Sequence, residues 1–377
     1  MRPIQMVDLK QQYANIKEDV DKAIQEVVSS AAFINGRQVT EFADNLAKYL
    51  GVKYVIPCAN GTDALQIAMM ALGLQPGDEV ITPSFTYIAT TEVIALLRLK
   101  PIFVEVDAKT FCIDPEAIRK AITPRTKAIV PVHLYGQSCD MEAIMEIARH
   151  NNLYVIEDNA QAIGSDFRFK DGTEKKTGSI GTIGATSFFP SKNLGCYGDG
   201  GAIFTNEEAL ANLLKMIANH GQSKRYYHDL VGCNSRLDTI QAAVLNVKLQ
   251  HLDAYINARR RVADFYDRAF ANNPKITTPY RALYSNHVFH QYTLLLEGVD
   301  RDGLNQFLAG HNIPSMIYYP VPAHRQKMFE AFGGGAYKLK TTDWLTERVI
   351  SLPMHTEMDN EQLHFITEKV LEYIIEQ

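Results

Sequence analysis

The sequence predicts an α/β fold, with a large domain built on a mainly parallel sheet and a smaller α/β domain behind it. Three observations carry this. Short apolar runs of strand length alternate with amphipathic stretches of helix length between about residues 54 and 158. Such a rhythm builds a parallel sheet covered by helices on both faces. The texture then changes after a helix ending near residue 250. That places a domain boundary there, with residues 1–250 forming the large domain and its N-terminal helical arm, and 251–377 the small one.

Each element follows from its own pattern. Ile16, Val20, Ile24 and Val27 lie on one face of a helix over residues 7–30, and Phe33-Ile34-Asn35-Gly36 breaks it. Val39, Phe42, Leu46 and Leu50 define a second helix that stops at Gly51. Strands then fall at residues 54–56, 79–81, 102–106, 128–132 and 153–158. Helices over 61–72, 90–97, 115–122 and 141–150 separate them. Helices over 235–252 and 254–270, a strand over 291–295 and a last helix over 360–375 complete the pattern.

Composition excludes several function classes. The 377 residues are 46% hydrophobic and 21% charged, as in ordinary globular enzymes, and the net charge of -5 argues against a chain built for nucleic acid. The five cysteines (Cys58, Cys112, Cys139, Cys196, Cys233) include no C-x-x-C pair, so neither a zinc site nor a disulfide frame is expected. His287 and His290 lack the cysteine or carboxylate neighbours that would complete a metal site. Asp8, Lys10, Lys17, Glu18 and Asp19 interrupt any N-terminal apolar run, and no stretch approaches membrane-spanning length. The expected location is the cytoplasm.

Chemistry concentrates at four places, and ligands of parallel sheets bind at the carboxyl ends of the strands. Lys192 stands in Ser187-Phe188-Phe189-Pro190-Ser191-Lys192-Asn193-Leu194-Gly195, between an apolar strand end and a turn with Gly198, Gly200 and Gly201. A buried lysine loses its charge readily and serves as a Schiff-base amine. Asp158 ends the apolar strand Val155-Ile156-Glu157-Asp158, where a carboxylate needs a cation or several hydrogen bonds. A protonated pyridine nitrogen is such a cation, and Gln161, two residues on along an extended chain, would point the same way. Ala59-Asn60-Gly61-Thr62-Asp63 reads as a helix start whose free N–H groups suit a phosphate, with the Ser187 hydroxyl as a further partner. Tyr87 in Pro83-Ser84-Phe85-Thr86-Tyr87 supplies an aromatic face for a flat ring. Singly these are a loop lysine, a capping acid, a plain helix start and a packing tyrosine. Together they meet the needs of pyridoxal 5'-phosphate (PLP).

The chain resembles the DegT/StrS family of PLP-dependent nucleotide-sugar aminotransferases over nearly its whole length. The resemblance rests on Phe33-Ile34-Asn35-Gly36, ANGTDAL at Ala59, PSFTYIAT at Pro83, VPVHLYGQ at Val130 and IEDNAQAIG at Ile156. It rests also on SFFPSKNLG at Ser187, CNSRLDTIQAA at Cys233 and SLPMH at Ser351. HGQSKRYYH and YYPVP match the members that aminate carbon three of a UDP-linked 3-keto N-acetylhexosaminuronic acid.

The resemblance implies PLP-dependent transferase fold type I, the aspartate aminotransferase-like arrangement. It implies that Lys192 bonds to PLP, Asp158 holds the pyridine nitrogen, Gln161 contacts the phenolic edge and Tyr87 stacks on the ring. Gly61, Thr62 and Ser187 would hold the phosphate, with Asn234 reaching it from the neighbouring subunit of a homodimer. Arg236 would bind the carboxylate of glutamate or of a uronate. Phe33, Ser191, Tyr318, Tyr319 and His324 match positions near the sugar nucleotide; Tyr318 stands where many members have histidine, and Phe33 where tyrosine is common. A sugar dehydratase would carry histidine in place of Lys192, and a non-catalytic PLP-binding regulator would add a DNA-binding segment. A nicotinamide enzyme would need G-x-G-x-x-G, which Ile203 breaks.

Overall fold

The computed structural model describes residues 1–375. The N-terminal arm is α1 (Leu9–Ser30), opened by Asp8, whose carboxylate accepts the Gln11 N–H at 2.9 Å. After it α2 (Arg37–Leu50) buries Phe42, Leu46 and Leu50, each four residues from the next on one face. Burying side chains of this size contributes about 1.5–3 kcal/mol each. Gly51 ends the helix with φ of 68°, a conformation glycine adopts without strain.

The next strands and helices alternate: β1 (Tyr54–Cys58), α3 (Gly61–Ala71), β2 (Glu79–Pro83), α4 (Ala89–Leu96), β3 (Lys100–Val104), α5 (Pro115–Ala121), β4 (Thr126–Ile129), α6 (Met141–Asn151) and β5 (Tyr154–Asp158). A hairpin of β6 (Asp166–Arg168) and β7 (Glu174–Lys176) leads to β8 (Ile183–Ser187) and β9 (Gly201–Thr205). Then come α7 (Glu208–Ala218), the hairpin β10 (Gln222–Lys224) and β11 (Tyr227–His228), α8 (Thr239–Leu249) and α9 (Leu252–Phe270). The chain closes through β12 (Ile276–Thr277), β13 (Tyr292–Leu296), α10 (Arg301–Gly310), α11 (Lys340–Thr346), β14 (Val349–Leu352) and α12 (Asn360–Ile375).

The seven-stranded sheet has the order β1-β9-β8-β5-β4-β2-β3. Its neighbours pair in parallel except at β9, which runs antiparallel to both β1 and β8. β1 and β8 therefore point the same way as β5. Successive strand residues enter opposite cores, as a pleated strand buried on both faces requires. Ile56, Val80, Ala128 and Ile156 pack under α3, α4 and α7, while Val55, Ile81, Ile129 and Val155 face α2, α5, α6 and α8. A second, antiparallel sheet of β12, β13 and β14 packs its Tyr292, Leu294, Ile350 and Leu352 against α9, α10 and α12, with Ile4 of the N-terminus in the same core.

Two expected boundaries move. β4 ends at Ile129 rather than residue 132, since Pro131 lacks an N–H for the ladder; pairing resumes only as a single bridge between Val132 and Asp158. The helix expected from residue 235 starts at Thr239, because Asp238 is extended (φ -64°, ψ 144°) and the segment before it pairs with a neighbour, Asn234 bridging Asn219.

Candidate active site

The carboxyl ends of β1, β5 and β8 gather the predicted residues. Cys58 and Ser187 flank Gly201 at one level of the sheet, and Asp158 lies level with Ala185 one strand over. α3 starts directly past β1: Asn60 caps it, its side chain accepting the Asp63 N–H at 2.8 Å, which leaves the N–H groups of Gly61 and Thr62 at the open end. Glycine is required twice here. A Cβ on Gly61 would fall 2.7 Å from the Ser187 Cβ, and one on Gly201 would fall 2.4 Å from the Asn60 carbonyl. The helix start thus sits against Ser187, whose hydroxyl accepts the Phe189 N–H at 3.2 Å; a helix start with free N–H groups beside a hydroxyl suits an anion.

Asp158 is 5% exposed. Burial pushes its carboxyl up; hydrogen bonds from the Thr90 hydroxyl (2.7 Å) and the Ala160 N–H (3.1 Å) oppose this, as does the charge of Lys192. Lys192, in the loop after β8, is half-buried. Burial lowers its ammonium to about 8, against the pull of Asp158. The two groups act on each other without a direct ion pair within 4.0 Å, so space remains between them. Tyr87 keeps 56% of its surface exposed at the rim, its ring 6.2 Å from that of Tyr319.

Gln161 departs from its expected geometry. The chain turns after Asp158, with the Ala162 N–H bonded to the Asn159 carbonyl, so Gln161 is not on an extended strand. Its amide links two elements instead: Oε1 accepts the Tyr135 N–H at 2.8 Å and Nε2 donates to the Tyr319 hydroxyl at 3.0 Å. Tyr135 in turn donates its hydroxyl to the Tyr318 carbonyl. Tyr318 and Tyr319 are half-buried beside the large sheet, in contact with Phe85 and Tyr135.

His324 also binds two elements together. It is 2% exposed, with Nδ1 2.7 Å from the Ser84 hydroxyl, Nε2 3.6 Å from Asp343 Oδ1 and its backbone N–H donated to Ser84 Oγ. It turns inward and fastens the Tyr318–His324 loop to the end of β2. Ser191 is half-buried one residue before Lys192, and Phe33 is exposed at 45%, its carbonyl accepting the Thr239 N–H. Asn234 is exposed; Arg236 is half-buried and lines a surface groove of about 340 Å³ with Asn35, Lys53, Tyr54 and Lys215. Among the described residues neither makes a hydrogen bond or ion pair through its side chain.

Sequence reasoning missed two supports. Thr90 bonds Asp158, and Glu157, the preceding residue, is fully buried on the other face of the sheet. Glu157 accepts the N–H groups of Gly178, Ile180 and Gly181 at 2.6–2.8 Å and lies 2.9 Å from His133 Nε2. His133 Nδ1 accepts the Cys139 N–H, so Nε2 is the proton-bearing nitrogen. The signal for Glu157 was a second acid, next to Asp158, at the end of an apolar strand.

The sheet, its crossover helices and the lysine, acid and glycine turn gathered at its carboxyl edge define an α/β protein of PLP-dependent transferase fold type I. More particularly, the chain belongs to the DegT/DnrJ/EryC1/StrS aminotransferase family, whose model matches residues 14–371. It is 46% identical over 363 residues to a UDP-2-acetamido-2-deoxy-3-oxo-D-glucuronate aminotransferase of Pseudomonas aeruginosa, covering 96% of this chain and 98% of the relative. It is 44% identical over 372 residues to a protein of Geobacillus stearothermophilus described as a pleiotropic regulatory protein, covering 98% of both. Among solved structures, ntda from Bacillus subtilis with bound cofactor PMP superposes with a TM-score of 0.92 at 32% identity, covering 100% of this chain and 86% of that one. No helix among the described residues is long and apolar enough to cross a membrane.

Proposed function

We propose that this protein is a PLP-dependent aminotransferase that moves the amino group of glutamate onto a UDP-linked keto sugar, at carbon three of a 3-keto N-acetylhexosaminuronic acid. The observation that carries this is the placement of Lys192 and Asp158. One is an amine that burial brings near neutrality, the other a buried carboxylate, and they act on each other across a gap at the strand ends beside the Gly61–Ser187 cradle. These residues fit PLP: the cradle suits its phosphate, Asp158 its ring nitrogen, and the exposed face of Tyr87 its ring.

When bound, PLP draws electrons from the carbon that exchanges its amino group. The chain's own residues do the rest. Lys192 would hold and move a proton at the carbon that exchanges its amino group, a task suited to an amine that burial lowers to about 8, near the working pH. Asp158 would keep the ring nitrogen protonated, and the N–H groups of Gly61 and Thr62 with the Ser187 hydroxyl would hold the phosphate. Gln161 positions Tyr319 and would offer its second amide proton to the ring's phenolic edge. Arg236 binds a carboxylate through its planar fork, which suits both glutamate and a uronate. Phe33, Ser191, Tyr318 and Tyr319 border the sugar nucleotide, and His324 acts through the loop it fastens.

Asn234 and Arg236 serve the partner's site in a homodimer on this reading. Mixing Lys192→Ala with Arg236→Ala subunits tests it. A shared site restores one intact centre per mixed dimer, and mixtures that stay as inactive as their parents contradict it. We also infer that residues 1–250 and 251–377 form the two domains, with α9 contributing Leu252 and Ile256 to one core and Tyr266 and Phe270 to the other. The enzyme would act in the cytoplasm, supplying amino sugars for surface polysaccharide or lipopolysaccharide. Comparing kcat/KM for UDP-, dTDP- and GDP-linked 3-keto and 4-keto sugars tests the substrate. Preference for a dTDP- or GDP-linked sugar or a 4-keto sugar would overturn that assignment, and no turnover of any would favour a PLP-binding regulator.

A further inference from the structure

Asp158 is supported by a chain of hydroxyls with a fixed direction. Thr90 Oγ1 donates to Asp158 Oδ2 at 2.7 Å, and Thr90 Oγ1 lies 3.1 Å from Thr86 Oγ1. An ionised carboxylate only accepts, so the single Thr90 proton is committed to Asp158 and Thr86 must donate to Thr90. Thr86 is 4% and Thr90 1% exposed, so no bulk water competes for these bonds. The neighbouring Thr91 uses its hydroxyl as helix threonines commonly do, on the Ile88 carbonyl three residues back. Thr90, one position earlier in α4, turns its hydroxyl to Asp158 instead. The two threonines flank Tyr87, whose carbonyl accepts the Thr90 N–H at 3.3 Å. One short segment therefore carries both the ring's stacking face and the support of its acid.

We propose that Thr86 and Thr90 are positioning residues that keep the shared proton on the cofactor's ring nitrogen rather than on Asp158. This rests on the PLP reading above. A hydrogen bond donated to a carboxylate lowers its proton affinity. In the buried pair of Asp158 and a pyridine nitrogen, the Thr90 donor therefore weights the proton toward the ring, where it is needed to draw electrons. Thr86 strengthens the Thr90 donor by polarising it.

The test compares holoenzymes carrying ring-nitrogen-15-labelled PLP. Thr90→Val keeps the side chain's shape but removes the donor; its ring-nitrogen resonance is expected to move toward the deprotonated position. Its kcat should fall about 10- to 150-fold, the value of a lost hydrogen bond to a charged group, with the KM for glutamate within about 3-fold. Thr90→Ser should restore both the resonance and the rate, and Thr86→Val should show a smaller shift in the same direction. A Thr90→Val enzyme loaded with PLP whose ring nitrogen stays as protonated as in the wild type overturns the inference alone. If Thr90→Val does not fold, an unshifted Thr86→Val resonance overturns it. A wild-type protein that takes up no PLP overturns the functional reading, and this inference with it.

Discussion

Gly61→Ala should loosen cofactor binding without unfolding the protein. The added Cβ would stand 2.7 Å from the Ser187 Cβ, 3.2 Å from its Cα and 3.4 Å from its N. Carbon atoms pack comfortably at about 3.5–4.0 Å, so the two elements must part by roughly 1 Å. Ser187 cannot rotate aside, because the crowded atoms are its backbone and the first atom of its side chain. Overpacking of this kind costs about 1–3 kcal/mol. The strain falls where α3 begins, and the easiest relief is to swing that helix start away from β8, which spreads the phosphate cradle. At about 1.4 kcal/mol per tenfold, the Kd for PLP should rise about 5- to 150-fold. Equilibrium titration of apoenzyme with PLP, followed by absorbance, measures this directly. A variant that binds PLP as the wild type does would refute the placement of the phosphate between Gly61 and Ser187.

Further predictions concern the acid, the amine and the buried carboxylate. Apoenzyme should capture PLP covalently at a rate that rises with pH through about 8, as the Lys192 ammonium loses its proton, and levels off above. Asp158 opposes that deprotonation, so Asp158→Asn should move the midpoint to lower pH; a midpoint unchanged or raised would contradict the coupling. Glu157→Gln exchanges an acceptor of three backbone N–H groups for an amide that also presents donors. Breaking such a buried charged network costs about 3 kcal/mol. Thermal unfolding should begin on the order of 5 °C lower, and an unchanged melting curve would remove Glu157 as an anchor of the sheet's edge. Ser84→Ala strips the His324 ring of its nearest partner, and should raise the KM for the sugar more than that for glutamate if the Tyr318–His324 loop borders the sugar. Equal changes in both would count against that placement.

The parts legible in the sequence were those with a local cause. The buried strands announced themselves as apolar runs, and Asp158, Lys192 and the Gly61 turn stood at their ends, where parallel strands must deliver them. The direction of β9 was not legible, because Ala202-Ile203-Phe204 is equally apolar whichever way it runs. Nor was the second sheet's closure, in which β13 pairs with β14 across α10 and α11. The inward turn of His324 depends on Ser84, 240 positions away in the chain, and the Thr90–Asp158 bond on a contact 68 positions apart. Gln161 was misjudged through geometry alone: a polar residue two places past a strand suggests extension, while the chain turns immediately after Asp158.

The most direct test of the account is the absorbance spectrum of the purified protein with PLP, before and after glutamate, with Lys192→Ala alongside. The account predicts a visible band that glutamate abolishes, that a 3-keto UDP-sugar restores, and that Lys192→Ala does not form in the same way. A protein that stays colourless with added PLP, or a band that glutamate leaves untouched, would contradict it.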